Sequence, residues 1–128
     1  MEKIIDGVGN LLCTLFSSME GDSRIYGGSD EEPLQVSLIN NSKGVLPHKH
    51  TQVYRETWST QEVWVLVEGR LAVNIYGLSN EFIKNFIMSK GNCAVFYRGG
   101  HSFVPVSESI KMYEIKNGPY FGVDKINI

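Results

Sequence analysis

The feature that most limits what this chain can become is its punctuation. From Leu34 onward, short β-patterned runs are separated by turn-forming stretches: Asn40-Asn41-Ser42-Lys43-Gly44, Glu68-Gly69-Arg70, Gly77-Leu78-Ser79-Asn80, Ser89-Lys90-Gly91-Asn92, Arg98-Gly99-Gly100 and Ser107-Glu108-Ser109. Turns at intervals of about ten residues leave room for strands and little for helices. No segment carries sustained helical periodicity with caps. The expected fold class is therefore all-β, a single antiparallel β-barrel of jelly-roll type.

A chain of 128 residues suits one domain with its own core. We read 1–33 as an N-terminal extension of loop and short strands, 34–116 as the barrel core and 117–128 as a tail. Asn10 to Phe16 fits a strand or a short helix, because apolar runs of this length do not discriminate. Arg24-Ile25-Tyr26 reads as a short strand within a loop. Thr51 to Thr60 reads as a polar strand and loop. The strongest strand is Glu62 to Val67, with Val63, Val65 and Val67 on one face and Glu62, Trp64 and Leu66 on the other. Leu71 to Tyr76 is expected to return as its hairpin partner.

Composition narrows function mainly by exclusion. A formal net charge of −2 gives no basic footprint for nucleic acid. The apolar run from Val8 to Met19 is too short and too polar to span a bilayer, and the opening residues make a poor signal peptide. Cys13 and Cys93 show no framework spacing and sit among apolar neighbours, so both read as buried free thiols in a reducing cytoplasm.

All three histidines lie in two short segments, Pro47-His48-Lys49-His50 and Gly99-Gly100-His101. On an extended strand His48 and His50 point to the same side. Three imidazoles with one carboxylate on an interior surface suit a divalent transition metal.

In these segments the chain resembles a small single-domain cupin. His48 and His50 match the family's His-x-His, and Glu62 precedes Gly69 by the family's six-residue gap. Gly91, Tyr97 in the proline place, Gly99 and His101 follow its second motif, with one residue fewer before the histidine. Two departures stand out: Gly44 lies close to His48, and eleven residues separate His50 from Glu62. The resemblance implies a metal bound by His48, His50, Glu62 and His101, with Fe, Mn, Ni and Zn all compatible. The long gap keeps Glu56 open as an alternative carboxylate. The phrases around Gln61-Glu62-Val63 and Gly99-Gly100-His101, and the ending Glu114-Ile115-Lys116-Asn117-Gly118-Pro119-Tyr120, are similar to small bacterial cupins associated with surface-polysaccharide biosynthesis.

The resemblance implies three functional alternatives. The first is a metalloenzyme acting on a sugar or nucleotide-sugar. The second is a sugar-binding module, and the third a metal-free sugar epimerase or isomerase with a histidine base. Tyr97 and Glu56 are the candidate proton-transfer groups. Trp64, Arg98, Phe103 and Glu114 are candidate pocket residues, Glu114 as a partner for a ligating histidine if its face is interior. Apolar residues on both faces of several strands point to a homodimer formed by sheet packing, with Phe16 a candidate contact.

Overall fold

The structure is a computed structural model that describes residues 1–16, 24–51, 53–55, 58–120, 122 and 124–128. Its strands, in chain order, are β1 Glu2–Ile5, β2 Leu11–Leu15, β3 Arg24–Tyr26, β4 Leu34–Asn40, β5 Val45–His50, β6 Val53–Arg55 and β7 Trp58–Ser59. They continue with β8 Glu62–Glu68, β9 Arg70–Tyr76, β10 Phe82–Ser89, β11 Cys93–Phe96, β12 Gly100–Pro105, β13 Lys111–Asn117 and β14 Lys125–Asn127. Among the described residues no helix is long and apolar enough to cross a membrane.

The strands form two five-stranded antiparallel sheets, in the orders β10-β9-β12-β5-β14 and β11-β8-β13-β4-β3, flanked by the β1-β2 and β6-β7 hairpins. The all-β expectation holds, and the facing sheets form the jelly-roll sandwich. Side-chain alternation then decides what lies between them. Trp64, Leu66, Ile39 and Met112 of the second sheet meet Leu71, Val73, Met88 and Phe103 of the first in one buried core. Trp64 is the hinge of this packing, edge-on to Phe103 with ring centroids 5.1 Å apart and tilted on Phe96 at 4.4 Å.

Two readings of the sequence need correction. Leu71–Tyr76 is not the hairpin partner of Glu62–Val67: β8 pairs with β11 and β13, whereas β9 pairs with β10 and β12 in the opposite sheet. The turn at Gly69, with φ of 86°, swings the chain from one sheet to the other. The cysteines are exposed and free, because Cys13 lies on an outlying hairpin and Cys93 on the outward side of edge strand β11. Apolar neighbours in sequence mislead when strand alternation turns the residue outward. Of the two forms left open for Asn10 to Phe16, the strand is the one present: β2 pairs with β1.

The sheets also draw in β3 and β14, from the segments on either side of 34–116. The outward face of the second sheet is apolar as well, with Val63, Val65, Val67, Tyr113 and Ile115 half-buried. Phe16 packs edge-on against Tyr113 of the same chain, centroids 5.9 Å apart.

Gly69 gives a direct test of the crossover. A Cβ there would run into the Ser109 carbonyl oxygen, in a backbone region that side chains rarely adopt. Gly69→Ala is expected to destabilise the fold by about 1 kcal/mol or more in urea unfolding, whereas Gly91→Ala, with no atom nearby at a similar φ, is expected to cost less.

Candidate metal centre

The two sheets place four donors face to face. β5 of the first sheet carries His48 and His50, and β12 beside it carries His101, directly across from His48 in the register. Glu62 comes from β8 of the opposite sheet. One donor atom from each of His48, His50, Glu62 and His101 lies within 4.8 Å of the others. The imidazole rings cluster with centroids 4.6 to 5.5 Å apart. His48, Glu62 and His101 are buried, and the His50 side chain is 7% exposed. Trp64 and Phe96 form the floor beneath His101, with centroids 5.0 and 4.4 Å from its ring.

Hydrogen bonds fix which ring nitrogen faces inward. His48 Nδ1 donates to the Leu46 carbonyl at 2.8 Å, since a carbonyl can only accept, and this leaves Nε2 with its lone pair. His50 Nδ1 donates to Asp124 Oδ2 at 2.8 Å, which again directs Nε2 to the centre. Glu62 is held from behind: the Trp64 indole N–H donates to Oε1 at 2.9 Å, while Oε2 lies 2.9 Å from Nε2 of both His50 and His101. The His101 contact lacks hydrogen-bond geometry, so this buried nitrogen has no hydrogen-bond partner. A buried imidazole nitrogen left bare is costly unless something else satisfies it. A divalent cation among three nitrogens and one oxygen would do so, and the donor set fits such an ion.

The electrostatics follow from burial and neighbours. Burial pushes His48 down to about 4, keeping it neutral as a ligand must be. Burial also opposes charge on His50, yet its bonds to Asp124 and Glu62 outweigh that and raise it to about 9. Burial would raise Glu62, but His101 and His50 hold it well below the ordinary carboxylate range. Glu114 is pushed up to about 7 by burial and then by the neighbouring Glu62, against the pull of Arg24. Burial would raise Asp124 too, but hydrogen bonds from His50 and Thr60 keep it low.

A cavity of about 260 Å³ opens beside the cluster, lined by His48, His50, Glu62 and Trp64 together with Arg24, Tyr26, Lys116 and Tyr120. A second, of about 140 Å³, reaches His50 and His101 from another side past Arg98 and Thr60.

The structure thus brings the four sequence-predicted ligands together and puts Trp64 at the cavity wall and Arg98 at the smaller opening. Other candidates fall elsewhere. Phe103 belongs to the core beneath the site. Tyr97 is 59% exposed and lines neither cavity, because alternation after the inward Phe96 turns it out. Glu56 lies outside the described residues. Glu114 is interior, but it does not serve a histidine: Arg24 grips it with both terminal nitrogens, Nη2 to Oε2 at 3.0 Å, and its carboxyl reaches Glu62.

Asp124 went unrecognised in the sequence, being a lone carboxylate in a tail. It is 5% exposed and accepts from His50 at Oδ2 and from Thr60 Oγ1 at Oδ1, 2.7 Å. Its position comes from β14, which pairs antiparallel with β5 so that Lys125 lies opposite His50. Thr51 N–H donates to the Asp124 carbonyl at 2.6 Å. The tail therefore orients a ligand histidine, an arrangement common around bound metals.

Comparison with solved structures identifies the architecture. The chain is similar to a cupin-2 domain protein from Shewanella frigidimarina (18% identity, TM-score 0.55, covering 75% of this chain and 80% of that one). It is similar to oxalate decarboxylase from Lactobacillus farciminis (15% identity, TM-score 0.59, 76% and 27% coverage). It is also similar to procruciferin, an 11S globulin from Brassica napus (15% identity, TM-score 0.56, 69% and 22% coverage). The chain thus has the cupin fold, and it spans only about a quarter of the length of the last two. No protein-family model matches it. No curated protein matches it either.

Asp124→Ala is expected to weaken divalent-metal affinity by about 10- to 100-fold, the usual effect of losing such an orienting partner. Competition titration against a chelating dye checks this, with Asp30→Ala, an exposed carboxylate at the cavity rim, expected to stay near wild type.

Proposed function

We propose that the protein is a metal-dependent cupin that binds one divalent transition ion through His48, His50, Glu62 and His101. In this reading it acts in the cytoplasm on a small polar substrate such as a sugar or nucleotide-sugar of surface-polysaccharide synthesis. The observation that carries the metal reading is the meeting of four interior donors from opposite sheets within 4.8 Å. A bound ion would supply Lewis-acid polarisation of a carbonyl or hydroxyl oxygen.

The chain's own residues prepare that site in separable ways. Trp64 fixes Glu62 through Oε1 and excludes water from below. Leu46 and Asp124 set the ring faces of His48 and His50. Tyr26 adds a phenol to the cavity lining, and Gln35 adds a side-chain carbonyl, its amide hydrogens going to the Ser29 and Glu32 carbonyls; both suit a polyol. Its size supports a substrate of about one sugar ring.

A second reading is a metal-free isomerase that uses a histidine as base. It is favoured by His48, which lines the cavity, is kept neutral by burial, and donates Nδ1–H to the Leu46 carbonyl so that Nε2 keeps its lone pair. Elemental analysis of protein purified with neither added metal nor chelator separates the two. The metal reading expects close to one ion per chain, lost in His48→Ala and in His101→Ala, followed by turnover or binding in a sugar-nucleotide screen. Metal-free protein that converts a sugar would support the isomerase.

We also propose a homodimer through the apolar outward face of the second sheet, where Val95 is 45% exposed beside half-buried Val63. Sedimentation equilibrium is expected to give twice the 14.4 kDa chain mass, and Val63→Glu with Val95→Glu to give monomer.

A further inference from the structure

Among the described residues, Lys116 is the more enclosed of the two lysines of the cavity wall. Its place is set by register: on β13 it lies opposite Glu62 of β8 and Gln35 of β4, on the inward side with Met112 and Glu114. Its side chain is only 20% exposed. An ammonium carries three N–H donors and no acceptor, and burying it without partners is costly. Yet among the described residues none accepts a hydrogen bond from it. Asp124 Oδ2 is 3.7 Å away, an ion-pair contact longer than a hydrogen bond. Nζ also lies over the face of Tyr120, 5.6 Å from the ring centroid.

The other cations differ. Arg24 lends its terminal guanidinium nitrogens to Glu114, and Nη1 also reaches Ser37 Oγ at 3.3 Å. Lys125 is exposed at the rim. Inside its exposed rim the cavity thus offers one compact, partly desolvated positive charge next to the candidate metal ligand Glu62, and no free guanidinium fork. A phosphate dianion is best met by such a fork or by several cations. A single ammonium is matched by a single carboxylate.

We propose that the ligand of this site carries a carboxylate that Lys116 binds, with a neighbouring hydroxyl or carbonyl oxygen directed at the histidine–Glu62 cluster: a hydroxy acid or sugar acid rather than a neutral or phosphorylated sugar. The inference deepens the metal reading of the same site, and the experiment below distinguishes failure of one from failure of the other.

Binding of glycolate, D-glucuronate, ethylene glycol, D-glucose and glucose 6-phosphate is measured by calorimetry on metal-loaded and chelator-treated protein. Wild type, Lys116→Gln and Lys116→Arg are compared, with metal content and melting temperature recorded for each. At least one acid is expected to bind wild type roughly tenfold or more tightly than its neutral counterpart, the scale of one charge-assisted hydrogen bond. That preference should vanish in Lys116→Gln at unchanged metal content and melting temperature, and return in part in Lys116→Arg. Equal binding of acids and neutral compounds by wild type would overturn the proposal, as would a preference that survives in Lys116→Gln. Tighter binding of glucose 6-phosphate than of glucuronate would overturn the carboxylate assignment. Should wild type hold no metal and still show a Lys116-dependent preference for an acid, the metal reading fails while the carboxylate assignment stands. Metal bound without any acid preference gives the converse.

Discussion

The contact on which the site depends is Glu62 Oε2 against the imidazoles of His50 and His101, 2.9 Å from each across the gap between the sheets. It joins a carboxylate on one sheet to histidines on the other, so the position of either sheet sets the geometry of the cluster. The core beneath makes this contact reproducible. Trp64 packs on Phe96 and Phe103 and also donates to Glu62, so a single side chain links core packing to the orientation of the acidic donor. Changes in core volume are felt throughout a close-packed interior, and here they would be felt at the cluster as well.

Around that contact, the buried charges are arranged as paired sets. His50 lies between Glu62 and Asp124, and Glu114 lies between Glu62 and Arg24. Buried ionic groups of this kind are poor sources of net stability, because desolvation offsets most of their attraction. Their arrangement is better explained by the need to hold donors oriented in a desolvated place. In the proposed reading the ion would sit at the His101 nitrogen, which makes no hydrogen bond to Glu62, and the anionic ligand at the Lys116 ammonium.

Much of the fold was legible in the sequence because turns and alternation are local signals. The Asn and Gly turns delimited the strands, and the period-two pattern of β8 placed Glu62 and Trp64 inside. His48 and His50 were legible for the same reason. What escaped depends on contacts between distant segments. The Gly69 turn looks the same in sequence whether it closes a hairpin or crosses to another sheet. Asp124 and Lys116 acquire their places only through β14 pairing with β5 and β13 pairing with β8. The cysteines were misplaced because their apolar neighbours said nothing about which way each strand faces.

The central claim is that three imidazoles from one sheet and one carboxylate from the other can share a single divalent ion. X-ray absorption spectroscopy of the zinc-loaded protein tests it most directly, since outer-shell scattering reports how many histidines coordinate. The account predicts that only nitrogen and oxygen coordinate the ion, with three histidines among the donors. A sulfur ligand, or no more than one coordinated histidine, would contradict it.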